Sequence, residues 1–574
     1  MARDDVLAPD LVLVNGRLLT MDSQQPQAEA LAIRDGQIVA VGATAEIEPL
    51  AGAPTRVIDL DGRTALPGLA DCHVHLASDA GRSVAAVECR DFFDPAVQSV
   101  ADIVARIREW ASNTPPGQWI AARGSPLQDT RLRERRLPTR EELDAAAPNN
   151  PVWISFGAHV VVANSAAIRE RGITRDTPSP QGGTVVKDPR TGEPTGVFRE
   201  RAQYLIRGKD SGQGPEVLAE RIALELDKCL ARGVTTIHDI IIDKEETLAY
   251  QKLARERRLP VRVHMIIRVI ESNFQKWSLL DLGLLQGLGS DWLRIGGIKM
   301  SIDGGFTGRN AAFSRPLSDD PHGEHPGLIR IQQDELDETV LRYHQQGMRI
   351  CTHAIGDVAL DMILDAYEKA LAAYPRTDHR HRVEHMGNWM MTPERIARAK
   401  RLGIVPVPNP PFLYFLGDPL VDMLAERWTV EGFPSRTLWD AGFPLVFGSD
   451  APGYYPVDAL RDLGTAVAHQ TLSGARITPH ETLRIHEALR AQTANAAWVG
   501  FAEHRLGTLS VGKLADVVVL GDDPLHSDPA RFHQLPVDLT ISGGRVVYER
   551  QTTGPAPQVT PAVRPMAGGC GCLH

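Results

Sequence analysis

Asp71-Cys72-His73-Val74-His75 follows the apolar run Ala65-Leu66-Pro67-Gly68-Leu69-Ala70, which reads as a buried strand. Side chains alternate across a strand, so His73 and His75 project to one side. Two imidazoles leaving one strand end together can grip a single metal ion. A lone histidine is more often a satisfied core or surface residue. A His-x-His pair that ends an apolar strand, with further candidate ligands at later strand ends, favours the metal.

Working outward, apolar and β-branched runs recur at 235–240, 261–267, 293–300, 349–353, 380–385, 404–407 and 445–450. Helical patterns lie between several of them, at 217–232, 333–346, 359–373 and 392–402. Strands alternating with helices indicate βαβ units and a parallel sheet. With the run ending at His75 the strands number eight, which predicts a (β/α)₈ barrel over residues 65–499. Residues 78–215 are too long for an ordinary connection and hold strand and helix patterns of their own, at 118–122, 140–147 and 151–156. They predict a subdomain inserted after the first barrel strand, over the C-terminal face, where it shapes substrate access. Both ends of the chain read as β, with hairpin signals at Asp35-Gly36 and Gly543-Gly544. We expect residues 1–64 and 500–550 to pair into one composite β-sandwich. The Pro-, Gly- and Ala-rich stretch 551–574 reads as a flexible tail. Its Cys570-Gly571-Cys572-x-His574 can bind a soft metal, but in such a tail it is more often incidental.

Composition narrows the function. The 574 residues are 43% hydrophobic and 23% charged, with a net charge of −10. The acidic balance and the lack of basic runs interleaved with aromatics argue against a nucleic-acid partner. The start, Met1-Ala2-Arg3-Asp4-Asp5, is acidic and lacks an apolar core, so we expect no signal peptide, and no apolar stretch is long enough to span a membrane. Six cysteines in this length make no disulfide framework, which suits a reducing cytoplasm. There is no Gly-x-Ser-x-Gly elbow, and Gly512-Lys513 lacks the rest of a P-loop.

Five strand ends carry candidate ligands: His73 and His75 at the first, Lys299 at the fourth, His353 at the fifth, His385 at the sixth and Asp450 at the eighth. Polar residues that close the C-terminal ends of barrel strands read as catalytic rather than structural. Lys299 has two readings. Its amine, desolvated near a metal, loses charge more readily and can react with carbon dioxide to form a carbamate that bridges two cations. Alternatively its stem packs while its ammonium reaches water. His238-Asp239 at the second strand reads as structural.

These residues resemble a known family. Pro67-Gly68, Asp71-x-His73-x-His75, Lys299-Met300-x-x-Asp303-Gly304, His353-Ala354-Ile355-Gly356-Asp357, His385 and Asp450 are similar to the amidohydrolase superfamily. The likeness is greatest to its amidohydrolase-3 branch of YtcJ-like metal-dependent hydrolases, which includes N-substituted formamide deformylase. Gly192-Glu193-Pro194-Thr195-Gly196 with Glu200, Asp462-Leu463-Gly464-Thr465-Ala466 and Gly512-Lys513-Leu514-Ala515-Asp516 extend the likeness along nearly the whole chain. The resemblance implies a distorted (β/α)₈ barrel plus a composite sandwich. It implies zinc, one or two ions, held by His73, His75, His353, His385 and Asp450, with a carboxylated Lys299 between two ions. It implies hydrolysis of a non-peptide C–N bond in a small-molecule amide or N-substituted formamide, with Asp450 moving the proton from water to the leaving nitrogen. His159 and Arg309 are candidates for contacts with the carbonyl or the leaving group, beside the plainer reading of surface hydrogen bonds. A deaminase or cyclic-amide hydrolase on the same scaffold, or a non-catalytic binding protein, are the alternatives. A homo-oligomer is compatible with all three. The chain departs from the branch at Asn409-Pro410-Pro411-Phe412, where Gln-Pro-x-His is usual, so an aromatic ring replaces an imidazole.

Overall fold

A computed structural model describes residues 8–82, 86–180, 182–207, 214–270, 274–318, 327–425, 432–453 and 455–551. Of the expected tail only Gln551 is described, and Cys570 and Cys572 lie outside the described residues. Seven parallel strands form the central sheet in chain order: β1 Leu69–Val74, β2 Val234–Ile241, β3 Arg262–Arg268, β4 Leu293–Ser301, β5 Ile350–His353, β6 Arg382–Glu384 and β7 Val405–Val407. β2 is buried at every position, the pattern of a strand covered on both faces. Helices at Lys244–Arg255, Gln333–Gln345, Asp357–Ala373 and Pro393–Arg401 follow the strands. The first of these is capped by Asp243, whose carboxylate accepts from Glu246 N, and it buries Ala249, Tyr250 and Leu253.

The eighth position differs from expectation. Residues 445–450 carry no regular ladder, yet they close the ring between β7 and β1. Cys72 N donates to Phe447 O at 2.9 Å, Asp450 N to His73 O at 2.8 Å, and Gly448 N to Pro408 O at 3.2 Å. Gly448 sits so close to β1 that a Cβ there would lie 2.4 Å from the His73 Cβ. The apolar pattern of the segment was therefore a sound sign of burial, while its backbone follows the close approach to β1 instead of a pleat.

Two sheets join the chain's ends. One has four strands, in the order Gln37–Gly42, Ala30–Arg34, Leu11–Val14 and Arg56–Asp59. The other has six, in the order Arg545–Glu549, Val537–Ser542, Val517–Leu520, Thr64–Pro67, Arg17–Leu19 and Gln27–Ala28. Leu13, Leu31 and Ile33 meet Val517, Val519 and Ile541 in one apolar cluster. The Asp35-Gly36 turn has both residues at positive φ, 51° and 76°, as a tight two-residue hairpin requires. The run 65–70 is thus divided: Thr64–Pro67 belongs to the terminal sheet, and the barrel strand starts only at Leu69. Arg262 of β3, 1% exposed, ties the two together through paired 2.8 Å hydrogen bonds to Asp516.

The long segment after β1 builds a six-stranded mixed sheet, ordered Gly183–Lys187, Pro194–Glu200, Val160–Ala163, Val152–Phe156, Ile120–Gly124 and Val87–Glu88. Two apolar clusters pack against it, one around Ile103, Ile107 and Leu143 and the other around Ile168, Phe198 and Ile206. Among the described residues, no helix is long and apolar enough to cross a membrane.

Candidate metal centre

The C-terminal ends of the barrel strands deliver the predicted side chains to the floor of one cavity of about 640 Å³. His75, Lys299, His353, His385 and Asp450 line it, with His73 buried directly beneath. One ligand atom from each of His73, His75 and Asp450 lies within 4.8 Å of the others. Asp450 Oδ1 stands 3.3 Å from His73 Nε2 and 3.1 Å from His75 Nε2. Nitrogen and oxygen ligands at roughly 2.0–2.2 Å from a tetrahedral zinc are about 3.3 Å apart, so this spacing fits one cation. His385 extends the group, its ring centroid 5.2 Å from that of His73, and His353 follows 4.6 Å further on. Lys299 Nζ stands 3.5 Å from His73 Nε2.

The outer nitrogens of three imidazoles are held by acceptors, which sets their tautomers. His73 Nδ1 donates to Glu384 Oε2 at 2.5 Å, His385 Nδ1 to Asn409 Oδ1 at 2.8 Å, and His353 Nε2 to Gly304 O at 3.2 Å. The opposite nitrogen of each ring keeps its lone pair, the arrangement in which a histidine binds metal. Glu384 is itself gripped by Arg382, both fully buried. Burial pushes His75 down to about 4 and His385 to about 3, and holds His353 well below its ordinary value. These rings are neutral near pH 7. Burial also lowers Lys299 to about 8. Burial alone would raise Asp450, but the adjoining His73 and His75 imidazoles outweigh it and hold the carboxyl well below the usual carboxylate range. His385 and Asp450 have left-handed backbones, φ 72° and 63°, an uncommon conformation that His and Asp tolerate better than most residues.

The inserted sheet roofs the cavity. His159 lines it, with Nδ1 3.0 Å from Glu200 Oε1, whereas Arg309 does not line it. Arg309 caps a short 3₁₀ turn and pairs with Asp129 at 3.1 Å, so the structure does not bring it to the other candidates. Arg330 lines the cavity and reaches Glu200 Oε2 at 2.8 Å. It escaped the sequence reading because it precedes a helix in a loop and ends no strand. Glu200 had been noted only as part of a motif. His238 lies away from this floor, bonded to Arg382 at 2.9 Å and stacked on His264, and Asp239 receives Leu76 N, Ala77 N and the Tyr250 hydroxyl. At the departure point, Asn409 orients His385, while the Phe412 ring stacks on His385 with centroids 5.8 Å apart.

An α/β barrel with such a ligand group at its C-terminal face defines a metal-dependent hydrolase. Comparison with known proteins makes the class specific: the profile of the amidohydrolase family matches residues 56–548, and the chain belongs to that family as a hydrolase acting on carbon–nitrogen bonds. Protein LONG AFTER FAR-RED 3 of Arabidopsis thaliana is 32% identical, over 94% of this chain and 92% of its own. N-substituted formamide deformylase of Arthrobacter pascens is 30% identical, over 94% and 98%. The crystal structure of an uncharacterized metal-dependent hydrolase from Pyrococcus horikoshii OT3 is 25% identical, covers 90% of this chain and 99% of its own, and superposes with a TM-score of 0.69.

Proposed function

We propose that this enzyme is a zinc-dependent amidohydrolase that cleaves a non-peptide C–N bond of a small amide or N-substituted formamide. The observation that carries the reading is the His73–His75–Asp450 group, spaced for one cation at the floor of a cavity large enough for a small organic substrate. His73, His75 and Asp450 would hold one ion. His353 and His385 would hold a second, with a carboxylated Lys299 between them. Zinc at this place would supply Lewis acidity toward water and toward the substrate carbonyl. The chain's own residues do the rest. Asp450, ionised near neutral pH, takes a proton from water and passes it to the leaving nitrogen, which departs poorly unless protonated. His159 faces the substrate from the roof. The relative from Arthrobacter pascens, by its name, acts on formamides, which favours this bond class. The four cysteines among the described residues are buried and free, which suits a reducing, cytoplasmic setting.

The test is elemental analysis with a hydrolysis screen of amides, formamides, hydantoins and lactones on zinc-loaded protein. We expect one to two equivalents of zinc, loss of turnover on chelation and recovery on reloading. A metal-free enzyme with full activity would end the reading. Asn409 offers a second check. Its carbonyl fixes the His385 tautomer, and removal of such an outer partner typically costs 10–100-fold in metal affinity. Asn409→Ala is expected to weaken zinc binding by about that factor, measured by competition with a chelator. Unchanged affinity would take His385 out of the ligand set.

A further inference from the structure

We propose that Glu200 is a positioning residue that acts through His159, holding that ring so that its Nε2 meets the reacting substrate; this rests on the hydrolase reading above. The two residues stand at the ends of neighbouring antiparallel strands, Val160–Ala163 and Pro194–Glu200, where Glu200 N donates to His159 O at 2.9 Å. His159 Nδ1 lies 3.0 and 3.1 Å from the two Glu200 oxygens, which leaves Nε2 as its substrate-side nitrogen. The Glu200 carboxylate, 5% exposed, also receives Arg330 Nη2 at 2.8 Å, Gly305 N at 3.2 Å and Asn310 Nδ2 at 3.4 Å. All three of those donors come from the chain that follows β4, so the carboxylate binds the roof to the barrel.

Two features show that the local chain is shaped around this pair. Glu200 adopts φ 50°, a costly backbone for a residue with a side chain. Gly305 and Gly308 make room for the pair. A Cβ on Gly305 would lie 2.3 Å from His159 Nε2, and one on Gly308 would lie 2.9 Å from both Glu200 Oε1 and His159 Cβ. A surface hydrogen bond needs none of this. Buried carboxylates that orient an imidazole act by fixing its tautomer and direction.

The experiment is a double-mutant cycle on the zinc-loaded full chain with N-(4-nitrophenyl)formamide as probe, together with ¹⁵N-histidine NMR. Glu200→Gln removes the charge and puts an NH₂ group where a donor now points, so the hold on the ring weakens. We expect His159→Asn to lower kcat about 10²-fold, the lower end for a proton-handling group, and Glu200→Gln to lower it about 10-fold or more, both with zinc content intact and KM nearly unchanged. In the His159→Asn background, Glu200→Gln should cost less than about threefold, because residues acting as a unit are not additive. Gly305→Ala should reproduce the His159→Asn loss with zinc retained, an independent route should Glu200→Gln fold poorly. NMR should show His159 protonated at Nδ1, and the population of that form should fall in Glu200→Gln. Equal losses in both backgrounds, or a wild-type His159 protonated at Nε2 and not at Nδ1, would overturn the proposal. Absence of probe hydrolysis by the wild type would count against the formamide reading, and the NMR signature would then decide the positioning role alone.

Discussion

Asp450→Asn is expected to fold, to keep most of its metal and to lose about 10² to 10⁴ in kcat, the range for a general acid–base group. The residue occupies the closing segment of the barrel, anchored by its own N–H on His73 O at 2.8 Å, so its place does not depend on its charge. Oδ1 faces His73 and His75, and an amide oxygen preserves one weaker ligand there. The amide cannot take a proton, and the neighbouring groups cannot substitute for it. The lone pairs of His73 and His385 face the cation site, and their outer contacts are committed. The carboxylate is ionised near pH 7, because the adjoining imidazoles outweigh its burial, so it has a lone pair open to a proton. KM should move much less than kcat, since ground-state binding lies elsewhere in the cavity. Steady-state kinetics and metal analysis on one preparation test this. A loss below roughly tenfold with metal intact, well short of the acid–base range, would shift the base to another residue, with His159 first.

How far the chain discloses this site is clearest residue by residue. His73 and His75 are legible because a strand period of two places them together whatever the tertiary structure, His353 and Asp450 because each closes a largely apolar run, and His385 through its match to the family pattern. The partners that tune them are not legible. Glu384 precedes His385 in the sequence, yet its significance lies in reaching His73, 311 residues away. Asn409 stood out for departing from a family pattern, and only the packing of β6 against β7 shows that it holds His385. Arg309 is a candidate in the sequence, but the left-handed turn at φ 55° places it beside Asp129 while Arg330 lines the cavity. The barrel itself was legible from alternating strands and helices. The irregular closure at 445–450 was not, since an apolar run signals burial without stating whether its hydrogen bonds form a ladder.

Lys299→Ala is expected to lose metal and to lower kcat/KM by about 10³ or more. A cation's Lewis acidity is worth several kcal/mol, and each 1.36 kcal/mol is tenfold in rate. Lys299 is 3% exposed on β4, with its amine 3.5 Å from His73 Nε2 and with His353 and Asp450 lining the same floor. A protonated ammonium there would repel cations from both groups. Burial lowers the amine to about 8, far enough for a useful neutral fraction at mildly alkaline pH, and only the neutral amine attacks carbon dioxide. The ammonium first gives up one proton, and attack of the resulting amine on carbon dioxide releases a second to solvent and leaves a carbamate anion, so the local charge changes sign in favour of metal. Two consequences separate this from a packing role. Reloading of the metal-free wild type with zinc should be more complete with added bicarbonate, and more so above than below pH of about 8. Short carboxylic acids should restore part of the metal content and turnover of Lys299→Ala, because they supply the missing oxygens, and should do nothing for Lys299→Met, whose side chain fills the space. Metal content measured beside turnover decides the matter: a Lys299→Ala enzyme with normal zinc and normal rate would leave the lysine a purely structural part of β4.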